Sequence, residues 1–351
     1  MRRALSAAIA ALALIMAGPS RSQPVQGNGT SEPPQILSFD DLKGWAEDDH
    51  AAALSVFRKT CGQLEGSAWQ TLCTVSSRVQ DARTFFERFF RPVLIHGDKP
   101  ALFTGYYEPE LTGSPVRTPL FAHPIYRPPP DLPVGSQWLS RAEIEQGNYL
   151  VGRGLELAWL RDPVDVFFLQ VQGSGRIRLT DGRVLRVGYA GRNGHPYKSV
   201  GAELVRRGIF AAHQVSADVI RSWVRDNPKK GAELLRYNPS YIFFRAITDV
   251  DPQRGPVGAM GRSVTPLRSI AVDPAHTPLG APVWIEKAGH APMNRLMIAQ
   301  DTGSAIHGAQ RADIFYGTGA AAGAAAGKIR DGGRMIVLLP IDLSIARALG
   351  G

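Results

Sequence analysis

Apolar and polar positions change rhythm several times along the chain. Over Val79-Gln-Asp-Ala-Arg-Thr-Phe-Phe-Glu-Arg-Phe-Phe90 the aromatics Phe85, Phe86, Phe89 and Phe90 recur at helical spacing. That predicts a helix with a buried aromatic face, stopped by Pro92. Upstream, Asp40 and Asp41 are the expected caps of a helix running towards Lys59, with Leu42, Trp45, Leu54 and Phe57 as its apolar positions. Ser199–Ala212 and Ala217–Asp226 also read as helices, the second capped by Ser216 with Val219, Ile220, Trp223 and Val224 on one face. Between 101 and 191 short alternating runs are cut by Gly and Pro. Val164–Gln172 reads as a strand and Gly173-Ser174-Gly175 as a turn. Ile177–Thr180 and Val184–Val187 read as strands joined by the two-residue turn Asp181-Gly182. Pro128–Pro130 is expected in a surface loop. Strand texture returns at Tyr241–Ile247, Ser269–Val272, Pro282–Ile285, Leu296–Gln300 and Met335–Leu339, interrupted by a Gly/Ala-rich helix near 318–330. Short strands without regular βα alternation predict a mainly β fold with peripheral helices (α+β), built from barrels and not from a doubly wound sheet.

Composition bounds this picture. A chain of 351 residues suggests about two domains. Hydrophobic residues at 44% and charged residues at 20% exclude disorder over the whole length. Met1-Arg2-Arg3 followed by the apolar run Ala4–Ala17 and small residues to Ser22 reads as a secretory signal peptide over 1–22, with a flexible leader over 23–36. Arg2, Arg3 and Arg21 and no acid lie in that signal, so its removal lowers the formal charge from +9 to +6. No Cys follows the apolar run to accept a lipid. In an oxidising compartment, Cys61 and Cys73 are expected to form a structural disulfide.

Several chemistries fit poorly. The glycines around Gly317-Thr-Gly319 and Gly327-Lys328 have the wrong spacing for a phosphate loop, and Ile329 stands where Ser or Thr is needed. Lysines and arginines are dispersed, so no nucleic acid partner is expected. The eight histidines form no i,i+4 pair, so no metal and no cofactor are expected; His195, in the polar turn Gly191–Pro196, is the one singled out. Carboxylates say more. Leu296-Met-Ile-Ala-Gln-Asp301 is an apolar run ending in an acid, and Asp313 enters another apolar segment twelve residues on. Burial at a strand end and a like charge nearby both raise an acid's pKa, which suits a general acid; the plain alternative is that either Asp caps a turn. Tyr106, Tyr107, Trp138, Trp159 and Trp284 are candidates for stacking on sugar rings, with core packing as the default reading.

Phe103-Thr-Gly-Tyr-Tyr-Glu-Pro109, Phe168-Leu-Gln-Val-Gln-Gly-Ser-Gly175, Gly188-Tyr-Ala-Gly-Arg-Asn-Gly194 and Asn238-Pro-Ser-Tyr-Ile-Phe-Phe244 occur in order. Thr265-Pro-Leu-Arg-Ser-Ile-Ala-Val-Asp273, Ala299-Gln-Asp-Thr-Gly-Ser-Ala-Ile306 and Ala312-Asp-Ile-Phe-Tyr-Gly-Thr-Gly319 follow. Together they resemble the membrane-bound lytic murein transglycosylase A family across roughly 100–340. The resemblance implies a double-psi β-barrel catalytic domain made of 37–102 plus 245–345, N-terminal helices included. A second β-barrel, 103–244, would be inserted for substrate binding, with glycan in the groove between them. It implies cleavage of the β-1,4 bond between N-acetylmuramic acid and N-acetylglucosamine, the muramyl C6 hydroxyl attacking C1 to give a 1,6-anhydro product. Asp313 matches the central acid/base, with Asp301 as the neighbour that tunes it. Thr104, Tyr106, Gln172, Tyr189 and Ser240 are candidate groove contacts, and Glu108 is either a secondary acid or a surface residue. The implied partners are peptidoglycan glycan strands and proteins of cell-wall synthesis or division, with the chain monomeric. Members of the family are typically lipoproteins at the outer membrane; without a lipid-accepting Cys this chain is expected as a soluble periplasmic form. Two other function classes stay open at this point: a non-catalytic murein-binding scaffold, and a hydrolase using Asp301 and Asp313 as a pair.

Overall fold

The computed structural model describes residues 32–248, 251 and 254–342. The expected signal peptide and residues 23–31 of the expected leader lie outside them. The end of that leader is a strand, β1 (Gln35–Ile36), paired with β2 (Phe90–Leu94). Between them run α1 (His50–Thr60), α2 (Ser67–Ser76) and α3 (Ala82–Phe89). Asp49 caps α1, its carboxylate accepting from the Ala52 N–H. The expected caps Asp40 and Asp41 lie in a separate short turn, where Asp41 closes a reciprocal capping box with Ser38. The aromatic helix is present, but Phe90 already belongs to β2, and Pro92 lies inside that strand instead of stopping the helix. Phe57, Phe85, Phe86 and Phe90 meet as one buried ring cluster beneath these helices.

The chain continues through β3 (Leu102–Glu108), β4 (Glu110–Ser114), β5 (His123–Tyr126), α4 (Arg141–Gln146), β6 (Glu156–Leu160), α5 (Pro163–Gln172), β7 (Ser174–Leu179) and β8 (Val184–Arg192). Then come α6 (Val200–Arg206), α7 (Ala217–Asp226), α8 (Pro228–Tyr237) and β9 (Ile242–Ala246). The last part holds β10 (Ser269–Val272), β11 (Pro282–Lys287), β12 (Met293–Asp301), β13 (Arg311–Thr318), α9 (Ala320–Ala326), β14 (Arg330–Asp331) and β15 (Gly333–Pro340). Among the described residues, nine strands hydrogen-bond in the order β1-β2-β15-β11-β12-β10-β13-β3-β14, and six in the order β5-β6-β4-β7-β8-β9. Both are mixed sheets with helices packed around them. The chain leaves the first sheet at Glu108-Pro109-Glu110 and comes back to it after Ala246.

One expected strand is a helix. Val164–Gln172 forms most of α5, started by the Asp162 carboxylate accepting from the Val164 N–H, with Pro163 in the first turn. Gly173 ends it at φ +75°, a left-handed conformation that glycine adopts without steric cost. The helix is buried on several sides, between the second sheet and α6–α8, so its apolar positions run together and lose helical periodicity. α8 has a weak sequence signature for the opposite reason: its polar face carries Lys229, Lys230 and Glu233 while Leu234 and Leu235 are buried. The hairpin at Asp181-Gly182 falls where the sequence predicts, but Leu179 is hydrogen-bonded to Arg183, so its loop has three residues, Thr180–Gly182, and not two. The Ser216 cap of α7 and strand β10 fall as predicted.

Candidate active site

Four adjacent strands of the first sheet place their chemistry in one row. Ala271 of β10 is paired in parallel with Asp301 of β12 and antiparallel with Asp313 of β13; Asp313 is in turn paired with Thr104 of β3. Opposed residues on neighbouring strands share a face, so both aspartates stand on the same floor. The ladder skips Gln300, a bulge in β12 just before Asp301. Side chains alternate along a strand, so Arg311 and Tyr106 lie beside Asp313 and Thr104 on that face.

The two acids are held differently. Asp301 Oδ1 accepts from the backbone N–H groups of Ala259 and Thr302, both at 2.9 Å, and Oδ2 accepts from the Tyr106 hydroxyl at 3.0 Å. A Cβ at residue 258 would sit 2.8 Å from the Gln300 carbonyl, so Gly258 is what lets the 259 amide come this close. Asp313 Oδ1 accepts from the Thr104 hydroxyl at 2.6 Å, and Arg311 Nη2 donates to that same hydroxyl at 2.8 Å. The other Asp313 oxygen makes no hydrogen bond among the described residues, and Asp313 lines the cleft.

Both acids are half-buried, and surrounding protein excludes enough water to raise their pKa values. For Asp301 burial is the dominant cause, opposed by its three donors and reinforced by the charge on Asp313; it is pushed up to about 6. For Asp313 burial again raises the pKa, with the Thr104 hydrogen bond and the Arg311 charge holding it back. Burial, and then the charges of Asp301 and Asp313, hold the Tyr106 phenol well above its usual value, so it stays a neutral donor.

These groups open on a cleft of about 240 Å³ whose opposite wall belongs to the second sheet and its helices. Gln170 and Gln172 from the end of α5, Tyr197, and Asn238, Ser240 and Ile242 before and within β9 line that wall; the loop Thr302–Ile306 forms a lip beside the aspartates. Its scaffold is a buried arginine. Arg141 is 2% exposed, donates to the Gln170 side chain (2.6 Å) and to the carbonyls of Ser240 (2.7 Å) and Asn238 (3.1 Å), and lies between the rings of Phe167 and Tyr241. Asn193 is also fully buried, donating to the carbonyls of Leu139 and Pro239 and accepting from the Tyr241 N–H.

The structure gathers most of the expected residues, with corrections. Asp301, Asp313, Tyr106, Gln172 and Ser240 line one cleft. Thr104 is there as the hydrogen-bond partner of Asp313. Tyr189 stands outside, 52% exposed on β8. His195 hydrogen-bonds the Trp138 carbonyl at 2.7 Å, a scaffold contact. Glu108 is neither a surface residue nor an available acid: it is fully buried and paired with Arg176 and Arg186. Of the candidate stacking rings only Tyr106 reaches the cleft; Trp284 is core, Trp138 packs on Phe243, and Trp159 lies under Arg117. Cys61 and Cys73 are disulfide-bonded, joining the ends of α1 and α2. Arg311 was legible in principle, because a basic residue two positions before Asp313 on a strand shares its face. Arg141 and Asn193 carry no such signal, since their role comes from burial alone.

Known proteins resemble this chain over much of its length. Residues 102–245 match the family model described as the MltA specific insert domain, and 268–339 match the 3D domain. Membrane-bound lytic murein transglycosylase A from Vibrio cholerae is 34% identical over 251 residues, and that from Escherichia coli K12 is 38% identical over 244. Those alignments take in 68% and 67% of this chain and 66% and 65% of the two relatives, just under two thirds of their length. The crystal structure of membrane-bound lytic murein transglycosylase from Agrobacterium tumefaciens superposes with a TM-score of 0.80 at 32% identity, covering 90% of this chain and 99% of that one. Escherichia coli MltA with bound chitohexaose superposes at 0.73 with 28% identity, covering 92% and 99%. The fold is therefore that of a 3D-domain protein carrying the MltA insert. The chain belongs to the membrane-bound lytic murein transglycosylase A family.

Proposed function

We propose that this protein is a peptidoglycan lytic transglycosylase, cleaving the β-1,4 bond between N-acetylmuramic acid and N-acetylglucosamine with formation of a 1,6-anhydro end. The observation that carries the reading is Asp313: a carboxyl with a raised pKa, one oxygen held by Thr104, and the other open to the cleft. Protonated, it delivers its proton to the glycosidic oxygen as the bond to C1 breaks. Deprotonated, it takes the proton of the C6 hydroxyl as that oxygen bonds to C1. Water is not consumed, and one group serves both steps, because an intramolecular nucleophile needs no separately activated water. Asp301 and Tyr106 supply the local field at the cationic C1. Asp301 keeps three donors, which suits a fixed neighbour better than a group that exchanges protons with substrate.

The substrate reading is supported by the wall of amide and hydroxyl groups at Gln172, Asn238 and Ser240, by the chitohexaose bound to the Escherichia coli relative, and by the relatives' names. The expected domain organisation follows the same reading: a catalytic domain interrupted by a substrate-binding insert, supported by strand membership on either side of Pro109 and Ala246. We place the protein in the cell envelope, exported by residues 1–22 and acting on glycan strands in murein turnover as a monomer. No helix among the described residues is long and apolar enough to cross a membrane. Mass spectrometry of sacculi digested by the protein tests the reading. Anhydro-muropeptides support it, and reducing ends or no release contradict it.

A further inference from the structure

Of three consecutive residues at the end of β3, one holds the floor of the cleft and two tie that floor to its opposite wall. Tyr106 bonds Asp301 on the floor. The Tyr107 N–H donates to the Gln172 side chain at 3.1 Å, and its hydroxyl accepts from Arg221 of α7 at 3.2 Å, both on the far wall's elements. Glu108 makes the largest set of contacts and has no part in the proton transfers. Its Oε1 accepts from Arg186 Nε at 2.8 Å. Its Oε2 accepts from Arg176 Nε at 2.8 Å, Arg186 Nη2 at 3.1 Å and the Thr318 hydroxyl at 2.8 Å.

The donors come from both sides of the cleft. Arg176 and Arg186 are direct cross-strand partners on β7 and β8 of the second sheet. Thr318 ends β13, the strand that carries Asp313, and the Gly319 N–H donates to the Glu108 carbonyl at 2.8 Å. Both guanidiniums also donate to the carbonyl of Arg254, on the connection that returns the chain to the first sheet. One buried carboxylate thus gathers the outgoing strand, the returning connection and one strand pair of the insert. Charged clusters of this kind contribute little stability over well-packed apolar residues, but their hydrogen bonds are directional and admit few alternative arrangements.

We propose that Glu108 is a positioning residue that sets the separation and angle between the two walls of the cleft, and so how closely they grip a bound glycan. The consequence for glycan rests on the function proposed above; the geometric claim does not. Both native cysteines are in the disulfide, so thiols introduced at the exposed positions Ser55 (α1) and Ala212 (after α6) are the only labelling sites. Pulsed dipolar spectroscopy between spin labels there reads the relation of the two sides directly. Glu108→Gln should shift and broaden the distance distribution, and a distribution identical to the parent's overturns the proposal. In steady-state cleavage of long glycan by folded Glu108→Gln, KM should rise about 10-fold with kcat within about 3-fold and the pH profile unmoved, since the floor acids are untouched. An equal fall in kcat with KM unchanged overturns it too. Should Glu108→Gln not fold, Arg176→Lys keeps the charge, loses the guanidinium fork and is read in the same two assays. If the parent protein cleaves no glycan, the function fails, and the distance measurement still decides the geometry.

Discussion

Asp301 and Asp313 flank the same residue, Ala271, from opposite sides of β10, yet three donors hold the first and one holds the second. On the proposed function this asymmetry divides their roles. Asp313→Asn should lower cleavage by about 10³-fold or more, the range a general acid/base contributes, while Asp301→Asn should leave a measurable rate, reduced on the order of 10- to 100-fold. Anhydro-muropeptide release by the two purified variants checks this ordering, and equal losses would argue for a paired-carboxylate hydrolase.

Thr104 and Arg311 both hold the Asp313 pKa down. With Asp313 acting first as an acid, as proposed, activity should be lost as pH rises through its pKa. Thr104→Val should therefore move the alkaline limb of the pH–rate profile to higher pH, while lowering kcat through lost orientation. A limb that stays in place would remove Thr104 from the account.

Stability carries a matching signature. Asp301 binds its proton more tightly in the folded protein, at about 6, than in the unfolded chain, near the ordinary value of 3.8. The stability this provides is complete below that lower value and is lost as pH rises through about 6. Up to about 3 kcal/mol is at stake. Denaturant unfolding of Asp301→Asn should show its stability relative to the parent rising between about pH 4 and pH 7.

The disulfide links α1 to α2 at the edge of the ring cluster, far in sequence from every cleft residue. Closing so short a loop removes unfolded-state entropy equivalent to about 3 kcal/mol. Replacing both cysteines by serine should lower the denaturant midpoint accordingly, and leave kcat and KM unchanged at temperatures where the variant is folded.

What was legible in the sequence follows the physics of each element. Strand β10 and the hairpin at Asp181-Gly182 rest on local pattern and turn chemistry; both are present, the hairpin with one more loop residue than its turn signal predicts. Helix α5 did not, because a helix buried between a sheet and other helices shows no polar face. Glu108 was misread for a related reason: an isolated acid after two tyrosines looks exposed or reactive until Arg176 and Arg186, some seventy residues on, are folded against it. Of the cleft, Asp301 could be found because it closes an apolar run and Asp313 because it enters one, while Tyr106 was named through its recognisable segment. On the far wall Gln172 and Ser240 were named through the resemblance, but Arg141 and Asn193 could not be found, since they act only through partners remote in sequence.

On the proposed reaction Asp313 serves an internal nucleophile and no water enters the product. Digesting sacculi in water enriched in heavy oxygen, with mass analysis of the newly formed muramyl ends, separates this route from hydrolysis. Anhydro ends free of the label, absent with Asp313→Asn, are the result expected; labelled reducing ends would contradict it.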